Sequence, residues 1–162
     1  MEKKNILFVC TGNTCRSVIA QVLFQKLKED LYPELGYQAE SAGIAANNGV
    51  SPSKEAVFSL AKQGIDITTH QAKIVDSKLI KKSSLILAMT HQQLNYLQEH
   101  FPWAKNRMHL FRLFCHQKKC MKNDEIEDPY GRGIVLYDEI YKRLKQDIML
   151  LFSYLRKEFK DE

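Results

Sequence analysis

The apolar run Ile6-Leu7-Phe8-Val9 passes directly into the polar stretch "CTGNTCRS", residues 10–17, and this junction constrains the fold more than any other part of the chain. A short, wholly apolar run is the pattern of a strand buried on both faces of a parallel sheet. From Ser17 onward Ile19, Val22, Leu23, Leu27 and Leu31 fall at helical spacing, until Pro33 ends the pattern. Strand, polar loop and helix therefore open an α/β chain, and in such chains ligands sit beyond the carboxyl ends of the strands.

The rest of the sequence continues the alternation. Residues 37–41 read as a short polar strand, and residues 42–52, rich in Gly and Asn, as a loop. Ser51 and Pro52 read as the cap and first residue of a second helix, with Ala56, Val57, Leu60 and Ala61 as its buried face and Gly64 as its stop. Residues 65–77 are mixed and predict a loop followed by a short helix. "SLILAM", residues 84–89, is the strongest buried-strand pattern in the chain. Thr90 then caps a helix running to Pro102, residues 107–111 form a fourth strand candidate, and residues 134–159 repeat apolar side chains at three and four as one long terminal helix docked on the sheet. The expectation is a single domain over residues 1–162, a three-layer α/β sandwich. Its four-stranded parallel sheet carries helices on both faces and a phosphate loop after the first strand.

Composition excludes several other classes. The chain has 162 residues, 44% hydrophobic and 27% charged, enough for one globular core. Met1-Glu2-Lys3-Lys4 is charged like the start of a signal peptide, but the apolar run behind it is too short for one. Nothing later approaches membrane-span length, so the reading is a soluble cytoplasmic protein without membrane association. The formal charge of +5 suits acidic or phosphorylated partners, yet the lysines are scattered and no nucleic-acid motif is present, so no nucleic-acid partner is expected. Cys10 and Cys15, with Cys115 and Cys120, have paired spacing that superficially suggests zinc. Zinc knuckles use tighter turns with glycine near the ligands, the context of Cys10 points to other chemistry, and no metal site is assigned. Cys115 and Cys120 read as reduced thiols in or near a loop.

The loop itself carries the chemistry. A strand-to-helix turn aims backbone N–H groups inward, and the helix N-terminus adds partial positive charge, so the concavity fits an anion of phosphate shape. Gly12 and Asn13 are expected to supply the unusual backbone angles of such a cradle. Cys10 then faces N–H groups, a helix dipole and Arg16, each of which stabilises a thiolate. Arg16 offers a planar fork that holds two phosphoryl oxygens, and Ser17 a hydroxyl for the sulfur. A cysteine nucleophile displacing an alcohol, phenol or amine needs a proton donor. Asp128, restricted by Pro129 and set between Glu127 and the loop glycines Gly131 and Gly133, is the candidate acid.

Cys10, five intervening residues, Arg16 and Ser17 at the amino terminus, with Asp128-Pro129-Tyr130 near the carboxyl terminus, resemble the low-molecular-weight protein tyrosine phosphatases. The resemblance covers nearly the whole chain. It implies a two-step hydrolysis in which Cys10 attacks phosphorus, Arg16 and loop amides stabilise the transferred group, and Asp128 acts as acid and then base. It also implies that Thr11, Gly12, Asn13, Thr14 and Cys15 form the phosphate-binding loop, that Ser17, Ser41 and His70 support it, and that Cys15 can form a reversible disulfide with the nucleophile. The implied substrate is a phosphorylated protein, the implied assembly a monomer or weak dimer, and no cofactor is needed. Thr14 stands where tyrosine-specific members carry an aliphatic residue and where the bacterial protein-arginine phosphatases carry threonine. Thr14 and Tyr130 are accordingly the substrate-pocket candidates, for phosphotyrosine or phosphoarginine. Val18 and Gln21 depart from the proline and glutamate common after the loop. An arsenate reductase of the same fold and a non-catalytic phosphate-binding module are the alternatives. The first lacks its two further cysteines after the third strand; the second is disfavoured because nucleophile, arginine and acid are all present.

Overall fold

The opening apolar run forms strand β1 (Lys4–Cys10), and every residue from Ile6 to Cys10 is buried. In this computed structural model, which describes residues 3–161, the chain continues through α1 (Arg16–Leu31), β2 (Tyr37–Gly43), α2 (Lys54–Ala61), α3 (Ser77–Lys82) and β3 (Ser83–Ala88). It ends with α4 (His91–His100), a 3-10 turn (Pro102–Arg107), β4 (Met108–Leu110), α5 (Phe111–Cys115) and α6 (Ile134–Asp161). The four strands are all parallel, in the order β2-β1-β3-β4, so β1 is flanked on both sides. Cys10 pairs with Gly43 and Val9 with Ala88, which puts the carboxyl ends of three strands around the loop that follows β1.

Alternation along β1 divides the core into two layers. Ile6, Phe8 and Cys10 join the larger cluster, built with Ile19 and Phe24 of α1, Leu60 of α2, Phe111 of α5 and Tyr137 and Phe152 of α6. Leu7 and Val9 face the smaller one, with Leu79 and Ile80 of α3 and Leu97 of α4. Phe24 and Phe152 stack at 4.7 Å between ring centroids, fixing α6 against α1. The architecture is the expected three-layer α/β sandwich. Among the described residues no helix is long and apolar enough to cross a membrane.

Several boundaries differ from the sequence expectation. Helix α2 starts two residues later: its cap is Ser53, whose hydroxyl accepts from Ala56 N–H at 3.2 Å, not Ser51. Ser53 N–H also donates to the Thr14 carbonyl at 3.1 Å, which ties the cap to the loop. The shift turns the helix so that Ala56, Ser59 and Leu60 are buried, while Val57 is half-buried and Ala61 exposed. Helix α1 begins at Arg16, and Leu31 at its far end is exposed. Strand β3 starts at Ser83, and β4 is only three residues long because Phe111 turns into α5 to bury its ring against Phe8 at 5.9 Å. Helix α4 stops at His100, and Pro102 opens the 3-10 turn, the position where its missing N–H costs nothing.

Candidate active site

The loop from Cys10 to Arg16 is clamped by backbone bonds on its outer side: the Cys10 and Thr11 carbonyls accept from Ile44 and Ala45 N–H, each at 3.0 Å. The clamp requires a close approach at Gly43. A Cβ there would stand 2.3 Å from the Thr11 carbonyl oxygen and 3.0 Å from Asn13 N, so only glycine fits without moving the loop. Asn13 adopts the left-handed conformation, with φ of 55°. Gly12 does not, and a Cβ on it would meet only Thr14 Oγ1 at an ordinary 3.7 Å, so the expected conformational role falls to Asn13 alone.

Asn13 is fully buried and has a partner at each of its polar groups. Its Oδ1 accepts from Lys73 N–H at 3.0 Å, which orients the amide, and its Nδ2 donates to Ser17 Oγ at 2.8 Å and to Ser41 Oγ at 2.9 Å. Its carbonyl accepts from His70 Nε2 at 3.0 Å, so that nitrogen carries a proton. Burial holds the His70 pKa below its ordinary value, and the ring donates as the neutral tautomer. Cys10 Sγ accepts from Asn13 N–H at 3.2 Å and lies 2.8 Å from Ser17 Oγ. The structure thus joins Cys10, Asn13, Ser17, Ser41 and His70 in one bonded network.

Arg16 opens α1 and is 4% exposed. Its Nη1 donates to the Ile126 carbonyl at 3.0 Å, and its Nη2 lies 3.8 Å from Asp128 Oδ2. Ile126 is itself fully buried and donates through N–H to the Met89 carbonyl at the end of β3. The segment bearing the carboxylate is therefore pinned between the sheet and the guanidinium. Asp128 Oδ1 accepts from Tyr130 N–H at 3.1 Å, an Asx turn that points the carboxylate while leaving its side chain 58% exposed.

Thr14 and Tyr130 border one cleft of about 450 Å³, together with Val50, Pro52 and the charged residues Lys54 and Glu55. Cys15 is buried, and its sulfur contacts Ser53 Oγ and Tyr137 OH at 3.3 Å each. Burial, reinforced by Cys15, raises the Tyr137 pKa far enough to keep its hydroxyl protonated. Cys15 thus reaches from the loop, where Thr14 Oγ1 is 3.7 Å away, to the cap of α2 and to α6, while the partners of Cys10 are Asn13 in the loop and Ser17 in the first turn of α1.

Sequence reasoning passed over three participants. Gly43 acts by having no side chain, and Ile126 through its backbone. Gln93 is buried on α4; its Oε1 accepts from Thr90 N–H at 3.0 Å and its Nε2 donates to Thr11 Oγ1 at 3.1 Å. The capping-box spacing from Thr90 to Gln93 was the available signal for its fixed position.

The model of the family described as low molecular weight phosphotyrosine protein phosphatase matches residues 5–161. A low molecular weight protein-tyrosine-phosphatase of Acinetobacter johnsonii is 38% identical over 139 residues, 86% of this chain and 89% of the relative. A protein-arginine-phosphatase of Bacillus subtilis is 28% identical over 158 residues, 98% of each chain. The solved structure of an arginine phosphatase from Geobacillus stearothermophilus superposes with a TM-score of 0.87 at 31% identity, covering 98% of this chain and 97% of that one. With the cysteine loop, its arginine and the carboxylate segment placed as described, the chain belongs to the low molecular weight phosphotyrosine protein phosphatase family.

Proposed function

We propose that this protein hydrolyses phosphorylated side chains of proteins through a phosphocysteine intermediate. Cys10 Sγ attacks phosphorus while the bond to the leaving oxygen or nitrogen breaks, and Asp128 donates a proton to the departing atom. Arg16 and the loop amides hold the equatorial oxygens, whose charge spreads in the transition state. Asp128 then takes a proton from water as its oxygen attacks phosphorus. The S–P bond breaks, orthophosphate leaves, and Ser17 supports the released thiolate. One observation carries this reading: Cys10 Sγ is held between Asn13 N–H and Ser17 Oγ at the mouth of a helix whose first residue, Arg16, lies 3.8 Å from Asp128. The test is turnover of para-nitrophenyl phosphate by wild type, Cys10→Ser and Asp128→Ala. Loss of turnover in the first variant and a large drop in the second are expected; unchanged turnover in Cys10→Ser would overturn the reading.

For the substrate, the Thr14 hydroxyl at the cleft beside Tyr130 supports phosphoarginine, whose guanidinium is a polar leaving group. The exposed Tyr130 ring supports phosphotyrosine as the second reading, since it offers a flat wall for a phenyl ring. The same cleft serves both. An arsenate reductase would need Cys115 as a reactive thiol, but Cys115 is 3% exposed and burial together with Asp147 raises its pKa well above the ordinary value.

A further inference from the structure

Gln21 lies on α1, half-buried, and its Oε1 accepts the hydroxyl proton of Ser41 in a short hydrogen bond. The proton directions around it follow from one fixed point. Lys73 N–H can only donate, so Asn13 must present Oδ1 to it and turn both Nδ2 hydrogens toward Ser17 and Ser41. Each serine oxygen thereby receives an N–H and has a single proton left to give. Ser41 gives its proton to Gln21, and with Cys10 as a thiolate, which can only accept, Ser17 gives its proton to Cys10 Sγ at 2.8 Å.

We infer that Gln21 is a positioning residue of the hydrolysis: by accepting from Ser41 it locks the Asn13 amide, and through that amide it commits the Ser17 proton to the Cys10 sulfur. Ser41 is fully buried, so without an acceptor at position 21 its hydroxyl must turn or remain unsatisfied, and either change loosens the Asn13 contact. Asn13 has no slack to absorb this, because its left-handed backbone and both amide ends are already committed. Gln21 touches neither Cys10 nor the phosphoryl site in this scheme; it acts only through Ser41.

The inference rests on Cys10 as nucleophile, and its test separates the two. Turnover of para-nitrophenyl phosphate is measured for wild type, Cys10→Ser, Gln21→Met, Gln21→Glu, Ser41→Ala and Ser41→Ala/Gln21→Met, with folding checked by circular dichroism. Gln21 lines an open cleft of about 360 Å³ between α1 and β2, so Met has room; Gln21→Ala removes the same acceptor with less volume should Met misfold. Loss of this acceptor is expected to lower kcat about fivefold to tenfold with KM within about twofold, because Arg16 and the backbone clamp on Cys10 and Thr11 do not depend on it. Gln21→Glu keeps an acceptor and restores most of kcat, and the double variant is no slower than Ser41→Ala alone. Equal kcat in Gln21→Met and wild type, or a further full loss in the double variant, would overturn the relay while leaving Cys10 in place. Activity retained by Cys10→Ser would overturn both.

Discussion

Gly43 sits so close to Thr11 that a Cβ on the glycine would stand 2.3 Å from the threonine carbonyl oxygen. That oxygen is itself bonded to Ala45 N–H, so neither backbone has a direction in which to retreat without dragging the loop. Gly43→Ala is therefore expected to fold, because the strand core beneath it is unchanged, but to displace Thr11 and Asn13. A misplacement of this kind costs on the order of 100-fold in kcat/KM. Steady-state kinetics beside a thermal melt would check it; near-normal kcat/KM would show that the loop tolerates the shift.

Thr14 marks the difference between the two substrate readings. Thr14→Ile exchanges a hydroxyl for apolar surface at the cleft it shares with Tyr130. The ratio of kcat/KM on phosphoarginine to phosphotyrosine peptides is expected to fall about tenfold or more. An unchanged ratio would remove Thr14 from the specificity argument.

His70 predicts a pH dependence of stability. Burial lowers its folded pKa below the ordinary 6.5, so the unfolded chain binds the proton more readily. Its contribution is full above about pH 6.5 and is lost as pH falls below that value toward the folded pKa. His109 is shifted the same way by burial, so the diagnostic is a difference between proteins. His70→Gln keeps an N–H for the Asn13 carbonyl and should flatten the change in urea midpoint between pH 7.5 and 5.5.

Asp147 of α6 is 1% exposed and accepts from Arg112 Nε at 2.8 Å and His116 Nε2 at 2.7 Å. Arg112→Ala leaves that carboxylate without its permanent cation and should destabilise by about 3 kcal/mol. The double variant Arg112→Met/Asp147→Leu should lose less than Arg112→Ala, as urea denaturation would show; a greater loss would mean the pair itself is strongly stabilising.

Thiol labelling at neutral pH should separate Cys115 from Cys120. Cys120 is exposed, whereas Cys115 is buried and its burial and Asp147 oppose ionisation. Iodoacetamide followed by peptide mapping is expected to modify Cys120 readily and Cys115 only after unfolding.

The parts of this arrangement that act through side-chain pattern were readable in advance. The apolar runs of β1 and β3, the helical spacing of α1 and α6 and the cysteine-to-arginine spacing each declare themselves within a few residues. What stayed hidden depends on partners far along the chain. Ser51 before Pro52 reads as the cap, whereas the folded chain ties Ser53 to the Thr14 carbonyl, and Phe111 reads as strand until Phe8 gives its ring a place. Gly12 looks like the necessary glycine of the loop, while Gly43 lies on another strand and shows its necessity only once the strands pair. Asp128 was visible from its neighbours Pro129 and Tyr130, but the backbone carbonyl of Ile126 that ties its segment to Arg16 has no signature in the letters.

That tie makes Arg16 a keystone between two stretches separated by 110 positions in the chain. A replacement such as Arg16→Lys would alter two things at once, the proposed grip on phosphoryl oxygens and the seat of the proposed acid, because a single ammonium cannot reproduce both arms of the fork. Rate losses measured at Arg16 and at Asp128 therefore belong to one mechanical unit, and multiplying them as independent contributions would count the same joint twice.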